Sequence, residues 1–143
     1  MILGEYYHQL DEKNRIRLPS KLKAQLGEKY VVLKGSNSCL FVFSQNELET
    51  TINEKLKALP LSDIKAQKSV RMLFSSCYEV EEDNQGRFLL PAYLREFAGI
   101  KKNVVSIGAG NRVEIWDEEA WKRYNEDTAD FDNIIAGLAQ YGI

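Results

Sequence analysis

Hydrophobic and polar positions alternate near the start of the chain in a way that predicts short β-strands. Ile16 and Leu18 fall on one face of a strand, whereas Arg15 and Arg17 fall on the other. A tight turn over 11–15 is expected to join this strand to the one before it, forming a hairpin with a polar outer edge. The elements predicted in this part of the chain are strands over 5–10, 15–18, 30–33 and 40–43.

A short helix is predicted between the second and third strands. Pro19 suits the first helical position, and Leu22 and Leu26 lie four residues apart, on one face. Gly27 is placed to close the helix in the left-handed (αL) conformation.

The same order of elements recurs later in the chain. Segments 11–27 and 83–99 share Asp, Arg, Leu, Pro, Leu and Gly at matching positions, whereas unrelated segments of this length match at about one position. Halves of this size rarely fold alone, so we expect the two copies to share one core. The second copy is predicted to contain strands over 77–82, 87–90, 103–107 and 112–116, a helix over 91–98 and a hairpin turn over 108–111.

Helical patterns occupy the chain between and after the copies. Ser44 and Glu47 form a capping box, and Ser62 or Asp63 could cap a second helix. After the second copy, a helix is expected to begin at Asp117. The predicted organisation is a first repeat over 5–47, linking helices over 48–75, a second repeat over 76–119 and a C-terminal helical segment over 120–143, which could dock on its own subunit or on a neighbour.

Composition narrows the functional classes. The net charge of −2 and the pI near 5.5 argue against a nonspecific polyanion binder, so any nucleic-acid surface must be local. No apolar run approaches the roughly 20 residues that span a bilayer, and the N-terminus lacks a signal-peptide pattern. We therefore expect a soluble, cytoplasmic protein. Cys39 and Cys77 lack metal-ligand spacing and are interpreted as small buried hydrophobic residues.

Three motifs carry a resemblance to a known family. They are Gly4-x-Tyr6-x-His8-x-Leu10-Asp11-x-Lys13-Asn14-Arg15-x-x-x-Pro19, Asp83-x-x-Gly86-Arg87-x-x-x-Pro91 and Gly108-x-Gly-x-Arg112-x-Glu114-Ile115-Trp116. Together they strongly resemble the bacterial MraZ family, over residues 1 to about 125. Asn14 departs from the family's usual glycine, but asparagine tolerates αL geometry well.

The resemblance implies both a fold and a function. The implied fold is an α+β, AbrB-like double swapped-hairpin β-barrel, in which two ββαββ repeats interleave with pseudo-symmetry, accompanied by linking and C-terminal helices. The implied function is transcriptional control of the division and cell-wall gene cluster by ring-shaped homo-oligomers. Their partner would be double-stranded DNA carrying promoter direct repeats, which places the protein at the nucleoid.

The chemistry of the two turns suggests which residues would meet DNA. Arginine can donate two hydrogen bonds to guanine O6 and N7, and a two-stranded ribbon fits the major groove. We therefore predict Arg15 and Arg87 as the residues that read bases or line the groove. Carboxylates repel phosphate, so Asp11 and Asp83 are expected to brace the turns instead.

The cations are unevenly divided between the copies. The DNA-contacting set is predicted to be Arg15, Arg87, Lys13 and Arg17, and the turn-bracing set Asp11, Asn14, Asp83 and Gly86. Because the first copy carries more cations and Arg17 aligns with Leu89, we expect the first copy to make more of the phosphate contacts.

Several alternatives compete with this interpretation. Lys65, Lys68 and Arg71 could form a second DNA patch, although a solvated helical face is the simpler explanation. His8 has no partner at ligand or catalytic spacing, so no metal, cofactor, small-molecule substrate or enzymatic activity is predicted. Trp116 and Trp121 are expected in the core or between subunits. The competing function is a ring-forming protein-interaction scaffold without sequence-specific DNA binding.

Overall fold

The computed structural model describes residues 1–126 and 130–143 and has an α+β fold. Its strands are β1 (Ile2–Gln9), β2 (Arg15–Arg17), β3 (Tyr30–Lys34), β4 (Leu40–Ser44), β5 (Tyr78–Glu79), β6 (Arg87–Leu89), β7 (Asn103–Gly110) and β8 (Val113–Asp117). The shorter α-helices are α1 (Ser20–Leu26) and α4 (Ala92–Ala98), and α3 (Ile64–Ser75) lies between them in the chain. The last helices are α5 (Glu118–Glu126) and α6 (Phe131–Ala136), the latter continuing as a 3₁₀ turn over Gly137–Tyr141.

The strands form one open antiparallel sheet and a separate two-stranded ladder. The six-stranded sheet has the order β1-β7-β8-β4-β3-β5, and β2 pairs with β6. The sheet leaves β1 and β5 as its edges, so the described strands do not close into the β-barrel that the family resemblance implied.

Strand pairing runs mainly between the copies, so the hairpin predicted for 5–10 with 15–18 is wrong, and the matching strands of the second copy do not pair with each other either. β1 pairs with β7, β2 with β6, and β5 with β3. An isolated two-stranded hairpin is marginal in water, whereas pairing across copies buries both apolar faces together. The main core contains residues of both copies, among them Ile16, Leu22, Phe88 and Leu94, which confirms the expectation of a shared core.

The strands predicted over 30–33 and 40–43 are confirmed as β3 and β4, which pair with each other as a hairpin, and β7 pairs with β8 in the second copy. The turn predicted over 108–111 is displaced, however, because β7 continues to Gly110. A Cβ on Gly108 would lie only 2.4 Å from the backbone nitrogen of Leu3 in β1. Glycine is required there by the close approach of a neighbouring strand, and not by a turn.

Helices α1 and α4 follow their prolines as the pattern predicts, but one residue late, because Pro19 and Pro91 precede the first helical residue. Leu22 and Leu26 are buried, as their spacing predicted. Gly27 has φ 99° and ψ 179°, so the prediction that it closes α1 in the αL conformation is wrong.

The helix that leads out of the first repeat is capped by Ser44, whose hydroxyl accepts a hydrogen bond from the backbone nitrogen of Glu47 at 3.0 Å. The helix α2 that follows has three contiguous parts, α-helical Gln45–Glu47, π-helical Leu48–Ile52 and α-helical Asn53–Lys57. Asp63 caps α3 through the backbone nitrogen of Ala66 at 3.0 Å. No described helix is long and apolar enough to cross a membrane.

Aromatic residues connect α5 to the sheet. Trp116 is buried, and its ring centroid lies 5.1 Å from that of Trp121 and 4.9 Å from that of Tyr124. Of the two positions predicted for Trp116, the core or a subunit interface, the structure shows the core. The predicted C-terminal segment 120–143 includes residues 127–129, which lie outside the described residues, and every residue from 130 to 143 is exposed.

Candidate nucleic-acid interface

The first turn is held by the carboxylate of Asp11. Its Oδ1 accepts hydrogen bonds from the backbone nitrogens of Lys13 and Arg15, both at 2.9 Å, and its Oδ2 accepts one from Arg15 Nε at 2.7 Å. The backbone nitrogen of Asp11 also donates to the Arg15 carbonyl at 2.9 Å. Asn14 takes the αL turn position, with φ 59°.

The second turn repeats this arrangement with other side chains between its ends. Asp83 Oδ1 accepts from the backbone nitrogens of Gln85 and Arg87, both at 2.9 Å, and Oδ2 accepts from Arg87 Nε at 2.9 Å. Gly86 has φ 75°, the counterpart of Asn14. The Asp-x-x-x-Arg spacing thus lets one carboxylate bind the backbone and the guanidinium of the residue four positions later.

These hydrogen bonds keep both carboxylates ionised. The pKa of Asp11 is lowered chiefly by the backbone N–H of Arg15, and the pKa of Asp83 by the backbone N–H of Arg87; the guanidinium in each turn lowers it further. Each aspartate consequently holds one side of a guanidinium in place.

The guanidinium groups remain accessible although they are held. The Arg15 and Arg87 side chains are 30% and 28% exposed. Each binds its aspartate through Nε, and within the described part of the chain the two terminal nitrogens of Arg15 have no hydrogen-bond partner. Arg87 Nη1 lies 4.0 Å from Asp11 Oδ2, so the first turn's carboxylate is close to both guanidinium groups. The terminal nitrogens can donate to an external acceptor.

The β2–β6 ladder brings the two turns into one surface. Arg15 lies opposite Leu89, Ile16 opposite Phe88 and Arg17 opposite Arg87. Ile16 and Phe88 are buried, so the alternation of a strand places the other four side chains on the opposite face. We call this outward-facing set, Arg15, Arg17, Arg87 and Leu89, the ladder face; Arg17 and Leu89 are exposed, whereas Arg15 and Arg87 are half-buried.

Basic residues of the first copy lie beside the second turn. A Cβ on Gly86 would be 3.8 Å from Lys23 Nζ and 3.9 Å from Arg17 Cγ. Lys23 Nζ also lies 2.5 Å from Glu82 Oε1, and Glu82 accepts a hydrogen bond from the Tyr30 hydroxyl. The first copy carries more cations than the second, as the sequence shows, but some of these cations lie beside the turn of the second copy. Both turns therefore belong to one basic surface.

Some residues at this surface were not predicted from the sequence. Leu89 completes the ladder face, and the repeat alignment of Leu89 with Arg17 was the available signal. His8 and Gln9 line a shallow depression of about 320 Å³ together with Asp11 and the ladder-face arginines. His8 and Gln9 lie three and two residues before Asp11, so their nearness in the chain was the available signal.

The cations of the linking helix and the histidine of β1 are not part of the ladder face. Lys65, Lys68 and Arg71 are exposed on α3, on a separate element from the ladder. His8 Nε2 lies 2.7 Å from Ser106 Oγ, and burial lowers the pKa of His8 to about 4. No group of three or more His, Cys, Asp or Glu side chains suited to a metal ion occurs in residues 1–126 and 130–143.

Comparisons with known proteins identify the family. The profile of the family described as "MraZ protein, putative antitoxin-like" matches twice, over residues 1–72 and 73–138. The chain belongs to the MraZ family. A relative from Clostridium beijerinckii is 48% identical over 143 residues, covering 100% of both chains, and one from Heliobacterium modesticaldum is 49% identical over 129 residues, covering 90% of each. Both relatives carry the name "Transcriptional regulator MraZ".

The third motif of the MraZ resemblance serves the interior and not the ladder face. Glu114 is 7% exposed and accepts hydrogen bonds from Arg112 Nε at 2.9 Å and from Trp116 Nε1 at 3.0 Å. The Arg112 guanidinium also lies 4.6 Å from the centroid of the Phe41 ring. A buried carboxylate with two donors and a stacked cation fixes the β7–β8 turn to the neighbouring β4.

Proposed function

We propose that the chain is a sequence-specific DNA-binding transcriptional regulator of the division and cell-wall gene cluster. Its ladder face would enter the major groove, with Arg15 and Arg87 reading bases and Arg17 and Lys13 contacting phosphates. The observation that carries the proposal is that two identically braced Asp-x-x-x-Arg turns meet on one solvent-accessible face. The regulatory names of the two relatives support it and favour a non-enzymatic role.

The proposed assembly is a ring-shaped homo-oligomer on promoter direct repeats, in the cytoplasm at the nucleoid. The ladder face offers only three arginines on a subunit of net charge −2, so one subunit alone is expected to bind DNA weakly. Tight binding then requires several subunits to contact the same DNA. Linking weak sites that engage together raises overall affinity by about 100- to 10,000-fold. The AbrB-like, swapped arrangement of the repeats is part of the same proposal, and the pairing of β2 with β6 supports it.

The proposal is tested by fluorescence anisotropy with a promoter fragment carrying direct repeats and with a scrambled duplex, each at two salt concentrations. We expect preference for the promoter duplex. Arg15→Ala and Arg87→Ala, measured separately, should each lose about 1 to 3 kcal/mol of binding free energy on the promoter duplex and relax the preference. Lys55→Ala, which changes an exposed lysine on α2, is the matched control and should bind as the unchanged protein does.

The same assay distinguishes a DNA contact by Arg17 from one by the cations of α3. Arg17→Ala should reduce the slope of log affinity against log salt by about one unit if its guanidinium touches one phosphate. Arg71→Ala should leave the slope unchanged. Equal binding of both duplexes by the unchanged protein would contradict sequence-specific recognition.

A protein-interaction scaffold is the second candidate, and the C-terminal segment is the observation that favours it. Phe131 and Tyr141 are 70% and 73% exposed, and their neighbours at helical spacing are also exposed and apolar. Such a surface suits a protein partner. Retention of ring assembly with no DNA preference would favour this role.

A further inference from the structure

The ladder face is chemically one-sided although the backbone that carries it is nearly symmetric. The repeat matches Arg15 with Arg87 and Arg17 with Leu89, and the antiparallel pairing places these residues around the buried pair Ile16 and Phe88. A symmetric face would carry four cations. The present face carries three cations and one leucine.

Leu89 is exposed at the position where the symmetry is broken. Its side chain is 51% exposed, whereas Phe88 and Leu90 on either side are 2% and 0% exposed. Single exposed leucines are common, so exposure alone indicates nothing. The informative feature is its position, directly across the ladder from Arg15 and two residues from Arg87. Side chains in those positions lie about 5 to 7 Å apart, so one object that meets the arginines also meets the leucine.

The base edges of the major groove offer few partners for such a side chain. Guanine presents acceptors that suit arginine, whereas the C5-methyl of thymine is the apolar group that the groove displays. Leucine has no polar group, so pressing it against a base acceptor or a phosphate would remove water from that oxygen without replacing its hydrogen bond. The arrangement that leaves no unpaired polar atom puts Leu89 against a thymine methyl.

We infer that Leu89 is a specificity residue that contacts a thymine methyl beside the base read by a neighbouring arginine, so that each half-site is read in one orientation. This inference rests on the proposed DNA-binding function. The Arg17 side and the Leu89 side of the face prefer different base edges, so turning a protomer around on the duplex exchanges a cation for an apolar contact. Protomers that all bind in the same orientation suit direct rather than inverted repeats.

The test compares the promoter duplex with duplexes in which deoxyuridine replaces thymidine, first throughout each repeat and then one position at a time. Deoxyuridine pairs like thymidine but lacks the methyl group. Loss of one buried methyl should weaken binding of the unchanged protein about three- to fivefold per engaged repeat, at one position on one side of the repeat. Leu89→Ala should bind the thymidine and deoxyuridine duplexes equally. Leu61→Ala, which changes an 87% exposed leucine in the linking region, should keep the preference.

A second variant tests the same contact in the opposite direction. Leu89→Arg should lose the thymidine preference and steepen the salt dependence by about one unit, because it restores the fourth cation. Failure of the unchanged protein to prefer promoter over scrambled DNA would overturn the proposed function and this inference with it. Promoter preference without any effect of deoxyuridine, or a deoxyuridine effect that persists in Leu89→Ala, would overturn the methyl contact alone.

Discussion

Neighbouring residues of β6 should differ sharply in what they contribute to stability. Phe88 is 2% exposed and belongs to the main core, where its ring meets the Tyr30 ring edge-on with centroids 5.8 Å apart. Truncating a buried phenylalanine to alanine typically costs about 3 to 5 kcal/mol, since apolar contact is lost and a cavity remains. About 0.5 to 1.5 kcal/mol of this is expected from the aromatic pair. Phe88→Ala should therefore lower the free energy of unfolding by about 3 to 5 kcal/mol in all.

Leu89→Ala is the matched control, because it also truncates an apolar side chain to alanine, one residue away on the outward face. Its cost should stay within about 0.5 kcal/mol. Urea unfolding followed by tryptophan fluorescence measures both, at two protein concentrations so that any contribution of assembly is seen. A stability of about 5 to 15 kcal/mol leaves Phe88→Ala folded at low denaturant in most of that range. A cost below about 1 kcal/mol for Phe88→Ala, or equal costs for both variants, would refute the alternation of the ladder.

Three further perturbations test other parts of the structure. Gly86→Ala should cost about 1 to 2 kcal/mol in urea unfolding, because φ is 75° while the nearest atom would be 3.8 Å from the new Cβ, and Gly86→Asn should cost less. Burial lowers the pKa of His8 from 6.5 to about 4, so the unfolded chain binds a proton between these pH values and the folded chain does not. Stability should therefore fall by at most about 3 kcal/mol as the pH drops through this window, and His8→Gln, followed by the same pH series, should remove the dependence. Gly108→Ala should raise the hydrogen-exchange rate of β1 amides, because its Cβ would lie 2.4 Å from Leu3 N; unchanged protection of β1 would contradict this.

Residues that act over a few positions were predictable from the sequence. The Asp11 and Asp83 turns are closed by hydrogen bonds within five residues, so the motif itself determines their geometry. The burial of Ile16 and Leu18 also followed from the period of two, which assigns each side chain to a face whatever the partner strand is. The helix after Pro19 was predicted to within one residue for the same local reason.

Strand partners could not be predicted in this way. A period of two indicates which face of a strand is buried but not which strand lies alongside, so the pattern favours pairing of 15–18 with its sequence neighbour, whereas the structure pairs it with β6. Gly108 shows the same limit, because a glycine at a strand end has the composition of a turn, whereas its requirement here comes from the β1 backbone. Both errors concern contacts between the copies, which a repeat does not specify.

The ladder face depends on local contacts within each turn and on distant contacts between the copies, so two kinds of substitution should disrupt it in different ways. Each turn can form by itself, but the face also requires the β2–β6 pairing and the buried contact of Ile16 with Phe88 beneath it. A core substitution under the ladder should therefore separate the arginines without altering either Asp-x-x-x-Arg turn. Replacing Asp83 should do the reverse, releasing the Arg87 guanidinium from its own turn while the core stays intact. DNA affinity should fall in both cases, but only the core substitution should lower stability by several kcal/mol, so the two defects can be distinguished in a single set of purified variants.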